Sequence, residues 1–186
     1  MNFEHKVFIN QFPIVKMFVY HLIYYRVLLK GYQKHQLQNE FWTLTIDAHL
    51  LRAVSNWCMV FGSDKTEPTH WKQLSITDSK ALYKNFREGL FEATDLNRHT
   101  WRKYWKSVVD FRNKYAVHRE LEFKSPVPIF EIALRVAYYY DTWVRGIISP
   151  ASFDEPPLEL FAKTLRDSMV PVVEKLLMEC IAEKGS

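Results

Sequence analysis

The stretch Trp101–Tyr115, with the sequence WRKYWKSVVDFRNKY, decides the fold class. On a helical wheel of about 100° per residue, its apolar and aromatic side chains fall on one arc. This aromatic arc consists of Trp101, Tyr104, Trp105, Val108, Phe111 and Tyr115. The opposite side is polar, with Lys103, Lys106, Asp110, Asn113 and Lys114. The pattern predicts an amphipathic helix that buries the arc in a helical core.

The same helical period recurs on both sides of this stretch and predicts six helices in all. Their expected bounds are residues 14–34, 40–61, 75–91, 95–119, 129–147 and 158–183. Pro13 marks the first start, Gly62 the second end, Ser75–Asp78 a capping box, and Thr94 or Asp95 the fourth cap. A kink is expected at Pro171. The sequence therefore predicts an all-α, antiparallel helical bundle.

Three further helices carry a predicted inner face, and that of the first helix is Ile14, Phe18, Leu22, Tyr25 and Leu29. That of the second helix is Leu44, Asp47, Leu51, Val54 and Cys58, so a carboxylate interrupts an apolar row. That of the fifth helix is Ile129, Ile132, Val136, Tyr139, Trp143 and Ile147. These rows predict which side of each helix meets the core.

Composition favours one compact domain spanning residues 1–186. The chain is 48% hydrophobic and 16% aromatic, with 5 glycines, which suits a helical core and disfavours Gly-rich β-turn folds. With 2 cysteines no disulfide framework is expected, and Cys58 is predicted to be a buried thiol. The N-terminus lacks the layout of a signal peptide. Residues 14–29 are short for a membrane span and contain Lys16, His21 and Arg26, so a cytoplasmic protein is expected.

Positive charge is concentrated on the fourth predicted helix. Residues 98–120 contain seven basic and two acidic residues, whereas the whole chain carries a net charge of +4. The basic residues are Arg98, Arg102, Lys103, Lys106, Arg112, Lys114 and Arg119. A basic stripe on one element is the pattern of a polyanion-binding surface, and it is also found on ordinary solvated helix faces.

Arg112 is the residue that breaks the aromatic arc. It lies at about 20° on the wheel, and His118 lies at about 260°, on the other edge of the arc. A buried guanidinium needs a partner. Three interpretations are open: a salt bridge to an inward carboxylate such as Asp47, a subunit interface without chemistry, or a functional cleft shared with His118.

Arginine and histidine suit the cleavage of a phosphodiester. RNA supplies its own nucleophile, the 2′-hydroxyl, so neither a metal nor a serine is required. Histidine transfers protons near neutral pH, and arginine holds phosphate in a bidentate contact. Asn113 is placed to orient the phosphate or the imidazole. No metal-ligand cluster, Walker loop or nucleophile elbow is present in the sequence, and no cofactor is expected.

The segment from Arg112 to His118, RNKYAVH, resembles the Arg-x(4–6)-His motif of the HEPN superfamily, in which Asn often follows the Arg. The segments Phe61–Asp64 and His70–Trp71 are similar to the abortive-infection branch. The resemblance implies a four-helix core over residues 40–148, with 1–39 and 149–186 as elaborations. It also implies a metal-independent endoribonuclease, a symmetric dimer, and a role in bacterial defence or a toxin–antitoxin pair with an antitoxin partner.

Carried onto this chain, the resemblance makes Arg112 and His118 catalytic, with Asn113 in support. Arg102, Lys106, Lys114 and Arg119 are then expected to follow the RNA backbone. On one continuous helix Arg112 and His118 point about 120° apart. Either the helix ends before His118, or the site is shared between subunits.

Two other functions remain open. One is a non-catalytic HEPN-like interaction module, which dimerises or holds a partner protein through the same helix and in which Arg112 and Asp47 form a structural pair. The other is a helical nucleic-acid-binding regulator, although no helix-turn-helix pattern is present.

Overall fold

The computed structural model describes residues 3–36, 39–65, 67–74, 79–117, 126–148 and 154–182. These residues form six α-helices, with no β-strand among them. The helices are α1 His5–Lys34, α2 Glu40–Phe61, α3 Ser79–Thr94, α4 Arg98–Phe111, α5 Phe130–Ile147 and α6 Leu158–Ala182. A 3-10 turn spans Trp71–Leu74, and a π-helical turn, Arg112–Val117, continues α4. The predicted all-α helical bundle is confirmed.

Helix α1 is the central element of the bundle. It packs along α2 and against α6, and it also contacts α5 and the 3-10 turn. Helix α3 packs on α5, while α4 and the π-helical turn pack on α2. Buried side chains from all six helices belong to one continuous apolar core, so α1 and α6 contribute to the same interior as the other four.

The predicted start of α1 is wrong, because the helix begins at His5 rather than after Pro13. Proline removes one backbone donor inside a helix. Here its ring lies on the exposed side, and the buried row Phe8, Phe12 and Val15 continues past it. The resulting 30-residue helix is long and apolar enough to cross a membrane by length and composition, with an 18-residue window of mean hydropathy 1.3. In this fold it is a packed central helix.

The predicted bounds of α2 are confirmed, and those of α6 are confirmed to within one residue. The predicted inner faces are partly wrong. Leu44 is 59% exposed and Ile129 is 69% exposed. In α2 the predicted residues Val54 and Cys58 are buried, and the prediction left out the buried Trp42, Ile46, Leu50, Ala53 and Trp57. Both helices carry more apolar residues than one face holds, so their periodicity is compatible with more than one inner row.

Helix α4 begins and ends at residues other than those predicted. Its N-cap is Asn97, whose side chain accepts hydrogen bonds from the backbone of His99 (2.9 Å) and Thr100 (3.0 Å). The Thr100 hydroxyl accepts one from the Asn97 backbone at 2.9 Å, which completes a capping box. Thr94 still belongs to α3, and Asp95 lies in the following turn with φ 56°. The predicted capping box at Ser75–Asp78 lies outside the described residues.

Candidate functional site

Arg112 lies where α4 gives way to the π-helical turn. The residue is half-buried, and the turn packs against α2. Its Nε atom is buried and has no hydrogen-bond partner among the described residues. The guanidinium is close enough to Cys58 to lower the pKa of that thiol, although burial is the larger effect and raises the pKa to about 12. Cys58 is therefore the buried, unreactive thiol that was predicted.

The structure does not show the salt bridge that was one interpretation of Arg112. Within the described ranges, no ion pair joins Arg112 to Asp47 or to any other carboxylate. Asp47 instead acts on Tyr25, whose pKa is raised first by burial and then by the Asp47 carboxylate. An arginine that is half-buried and has no carboxylate partner among the described residues is a candidate for binding an anion from outside the chain.

His118 and Arg119 lie outside the described residues, so the geometry of the predicted Arg–His pair stays a prediction. Asn113 is exposed on the π-helical turn beside Arg112, and Lys114 is half-buried. The α-helix ends at Phe111 and continues as a π-helical turn. The expected angle of about 120° between Arg112 and His118 assumes a continuous α-helix, so it does not apply to this segment.

The predicted RNA-backbone residues that the structure describes are not equivalent. Arg102 is exposed and lines a groove described below. Lys106 is also exposed, but its Nζ lies 2.6 Å from Asp110 Oδ2, one helical turn away. This pair partly neutralises the charge of Lys106, so Arg102 presents the stronger field to an anion.

The aromatic arc of α4 packs inside the chain, as predicted. Val108 and Phe111 are buried, and the remaining four members pack against the core. Trp105 Nε1 donates to the Phe61 carbonyl at 2.9 Å and to that of Gly62 at 3.2 Å. The Tyr104 hydroxyl donates to the Ile129 carbonyl at 3.1 Å. The arc therefore ties α4 to the end of α2 and the start of α5.

A groove of about 640 Å³ between α3 and α4 was not predicted. Five cationic residues and one acidic residue line it together with three aromatic ones. The cationic residues are Lys80, Lys84, Arg87, Arg98 and Arg102, and the aromatic ones are Tyr83, Phe91 and Trp101. The spacing of Lys80, Lys84 and Arg87 places three cations on one face of α3. This spacing is the signal that charge counting along the chain overlooks, because Glu88 and Glu92, which follow in the same helix, offset two of the three positive charges.

A side cavity of about 190 Å³ adjoins the groove and shares Arg87, Trp101 and Arg102 with it. Aromatic rings form much of its wall, and the Trp71 ring stacks on that of Phe86 with centroids 4.0 Å apart. At its edge, Asp64 pairs with Lys72. These two residues belong to the connection that leads from α2 to α3.

His70 also borders the side cavity and is 2% exposed. Its Nδ1 accepts a hydrogen bond from the Lys72 backbone at 3.2 Å. Burial lowers the pKa of His70 to about 4, with Lys72 acting in the same direction. The imidazole is therefore neutral at pH 7, and its contacts make it an anchor of the loop rather than a proton-transfer group.

No protein-family model, curated protein or solved structure matches this chain. Among the described residues, no group of three or more His, Cys, Asp and Glu side chains is arranged to hold a metal ion. The candidate site therefore has two parts, a half-buried arginine in a π-helical turn and a cationic groove at the other end of the same helix.

Proposed function

We propose that this chain is a metal-independent endoribonuclease of the HEPN type. In this proposal Arg112 binds the scissile phosphate and His118 transfers protons. Asn113 orients either the phosphate or the imidazole of His118. Arg102, Lys106, Lys114 and Arg119 contribute sequence-independent contacts to the RNA backbone. The proposal includes a cytoplasmic location and a role as the toxin or effector of a bacterial defence system, with an antitoxin as a possible protein partner.

The observation that carries the proposal is the state of Arg112. A buried donor without a partner costs stability, and native proteins contain few such groups. Here the group is the Nε of an arginine that has no ion pair within the described part of the chain. It also lies in a π-helical turn, a rare conformation that occurs frequently at functional sites. An RNA phosphate beside the guanidinium would provide the missing negative charge.

The proposed reaction is a transesterification within the RNA strand. His118 removes the proton of the 2′-hydroxyl, and the 2′-oxygen attacks the adjacent phosphorus. The bond from phosphorus to the 5′-oxygen breaks, and protonated His118 returns the proton to that leaving oxygen. Arg112 stabilises the negative charge that develops on the phosphoryl oxygens. The products are a 2′,3′-cyclic phosphate and a 5′-hydroxyl.

Product analysis in the presence of EDTA tests this chemistry. The purified protein should cut single-stranded RNA without a divalent metal and leave 2′,3′-cyclic phosphate ends. The same sequence as DNA or as 2′-O-methyl RNA should stay intact, because neither provides the nucleophile. A strict requirement for Mg²⁺, or products that end in a 3′-hydroxyl, would contradict the mechanism. An uncut RNA together with a stable homodimer would favour the interaction module.

A two-fold dimer is part of the proposal, since two copies place two Arg–His motifs around one cleft. Because the aromatic arc packs inside the chain, the contact would use the exposed side of the π-helical turn, where Asn113 lies. Mixing Arg112→Ala protein with His118→Ala protein tests a shared site. If each site takes Arg and His from different subunits, heterodimers regain partial activity. No recovery despite measured subunit exchange, or a monomer by light scattering, contradicts sharing.

A further inference from the structure

We propose that the groove between α3 and α4 is a binding site for single-stranded RNA. Its cations contact consecutive phosphates, its aromatic rings support the bases, and the side cavity accepts one unstacked base. The choice of RNA over DNA rests on the proposed function. Binding in the groove can be tested separately from cleavage, because Arg102 in the groove and Arg112 at the proposed catalytic site lie about 15 Å apart along the axis of α4.

The cations of the groove are available to a polyanion. Lys80, Lys84, Arg87, Arg98 and Arg102 are all exposed. Among the described residues, Lys84 is the only one of these cations in an ion pair, with Glu88 at 3.9 Å. Exposed pairs of this length are weak, so the charge of Lys84 also remains largely effective. A concave surface with this excess of positive charge attracts phosphate chains over a long range.

The aromatic residues distinguish this groove from a merely basic surface. Tyr83, Phe91 and Trp101 are half-buried, so each ring is held by the fold and still lines the groove. The Tyr83 hydroxyl donates to the Lys72 carbonyl at 2.9 Å. The Trp101 ring lies 6.3 Å from that of Trp57 and 6.0 Å from that of Tyr104. Aromatic rings beside a cationic track are the usual arrangement for stacking bases of a single strand.

The side cavity explains why the ligand is a single strand rather than a duplex. It opens beside Arg87 and Arg102, and Trp71, Phe86, Trp101 and Trp105 contribute aromatic walls. A flat ring system fits such walls, and an unpaired base can turn out of its strand to enter without the cost of breaking a base pair. The acidic side chains of a peptide would satisfy the cations but would supply no ring for the cavity, whereas each nucleotide supplies a phosphate and a ring together. The combined chemistry is therefore that of phosphates and bases.

Binding is tested with the full chain carrying His118→Ala, which keeps the probe from being cut. The probe is a fluorescent oligouridylate of about twelve nucleotides, followed by anisotropy. In this background, Arg87→Glu with Arg102→Glu should weaken binding at least about tenfold and lower the salt slope by about 1.4, as two lost phosphate contacts require. Lys6→Glu with Lys30→Glu is the matched control, because both lysines are exposed outside the groove and the charge change is the same.

Trp101→Leu separates base contacts from phosphate contacts. This variant should weaken binding while the salt slope stays at its original value, because stacking releases no counterions. Thermal melting verifies that the variant is folded, and Tyr83→Leu repeats the test at a second ring of the groove. Unchanged binding in both folded aromatic variants overturns the proposal. Equal weakening by the groove pair and by the control pair also overturns it.

Other probes and an activity measurement complete the design. Tighter binding of a duplex RNA, of the corresponding DNA strand, or of an acidic peptide of equal charge overturns the proposal. If the oligomer binds in the groove and no RNA is cut, this inference stands and the proposed function fails. If RNA is cut and the groove variants bind and cut like the parent protein, this inference and the backbone contact of Arg102 fail, while the proposed cleavage by Arg112 and His118 stands.

Discussion

Arg112 and Arg145 lie near the ends of α4 and α5, and their environments differ. Arg145 Nε lies 2.9 Å from Asp141 Oδ1, and the Asp141 side chain is only 4% exposed. The other Asp141 oxygen accepts from the Leu158 backbone at 2.9 Å, where α6 begins. Arg145 therefore serves the fold, whereas Arg112 has no carboxylate partner among the described residues. The two arginines form a natural comparison.

Replacing these two arginines by alanine should have different effects on stability. Arg145→Ala leaves the buried Asp141 carboxylate without its cation and should lower the free energy of unfolding by about 3–5 kcal/mol. Arg112→Ala strands no charge among the described residues and removes a donor without an acceptor there, so the loss of free energy of unfolding should stay within about 1 kcal/mol. Urea denaturation at pH 7 measures both values. A large and equal loss of free energy of unfolding in Arg112→Ala and Asp47→Ala would instead support an Arg112–Asp47 salt bridge and favour the interaction module.

At the scale of single helices, the sequence predicts the bounds of a helix best where only one good capping residue lies near each end. Helix α2 runs from Glu40 to Phe61 as predicted, because Asn39 precedes it and Gly62 follows it. The start of α4 was wrong because Thr94, Asp95 and Asn97 are all good caps within a few residues, and tertiary packing extends α3 through Thr94. The π-helical turn was not predicted, since a helical wheel assumes the same rotation of about 100° at every residue.

Gly89 shows how closely α3, one wall of the groove, packs on α5. A Cβ atom at Gly89 would lie 2.3 Å from the Tyr139 hydroxyl oxygen and 2.6 Å from its ring, whereas one at Gly146 would meet nothing within 4 Å. Gly89→Ala should therefore destabilise the protein by about 1–3 kcal/mol through overpacking. Gly146→Ala, in α5, should stabilise it by about 0.4–1 kcal/mol, because it restricts the unfolded chain.

Thermal or chemical denaturation of the two glycine variants measures this difference. Both changes add the same methyl group to a helical glycine, so intrinsic helix propensity acts equally in both. A Gly89→Ala protein as stable as Gly146→Ala would mean that α3 moves away from α5 at little cost. The wall of the groove would then be less firmly held than its packing indicates.

For the whole molecule, the sequence predicted the all-helical class and one part of the candidate site. Arg112 stood out because it interrupts an aromatic arc, a property of one helix. The groove was missed because Arg87 and Arg102 come from different helices and meet only through tertiary packing. The hydrogen bonds of the aromatic arc could not be predicted from the sequence either, because they join α4 to Phe61, Gly62 and Ile129, which are distant along the chain.

The central claim is that Arg112 and His118 cut RNA, and cleavage in EDTA by matched variants tests it most directly. His118→Ala and Arg112→Ala should reduce the rate at least about a hundredfold, the scale of a lost proton-transfer or anion-stabilising group. His99→Ala and Lys103→Ala, exposed changes on the same helix, should cut at the rate of the unmodified protein. Cleavage that survives undiminished in folded His118→Ala protein would contradict the account.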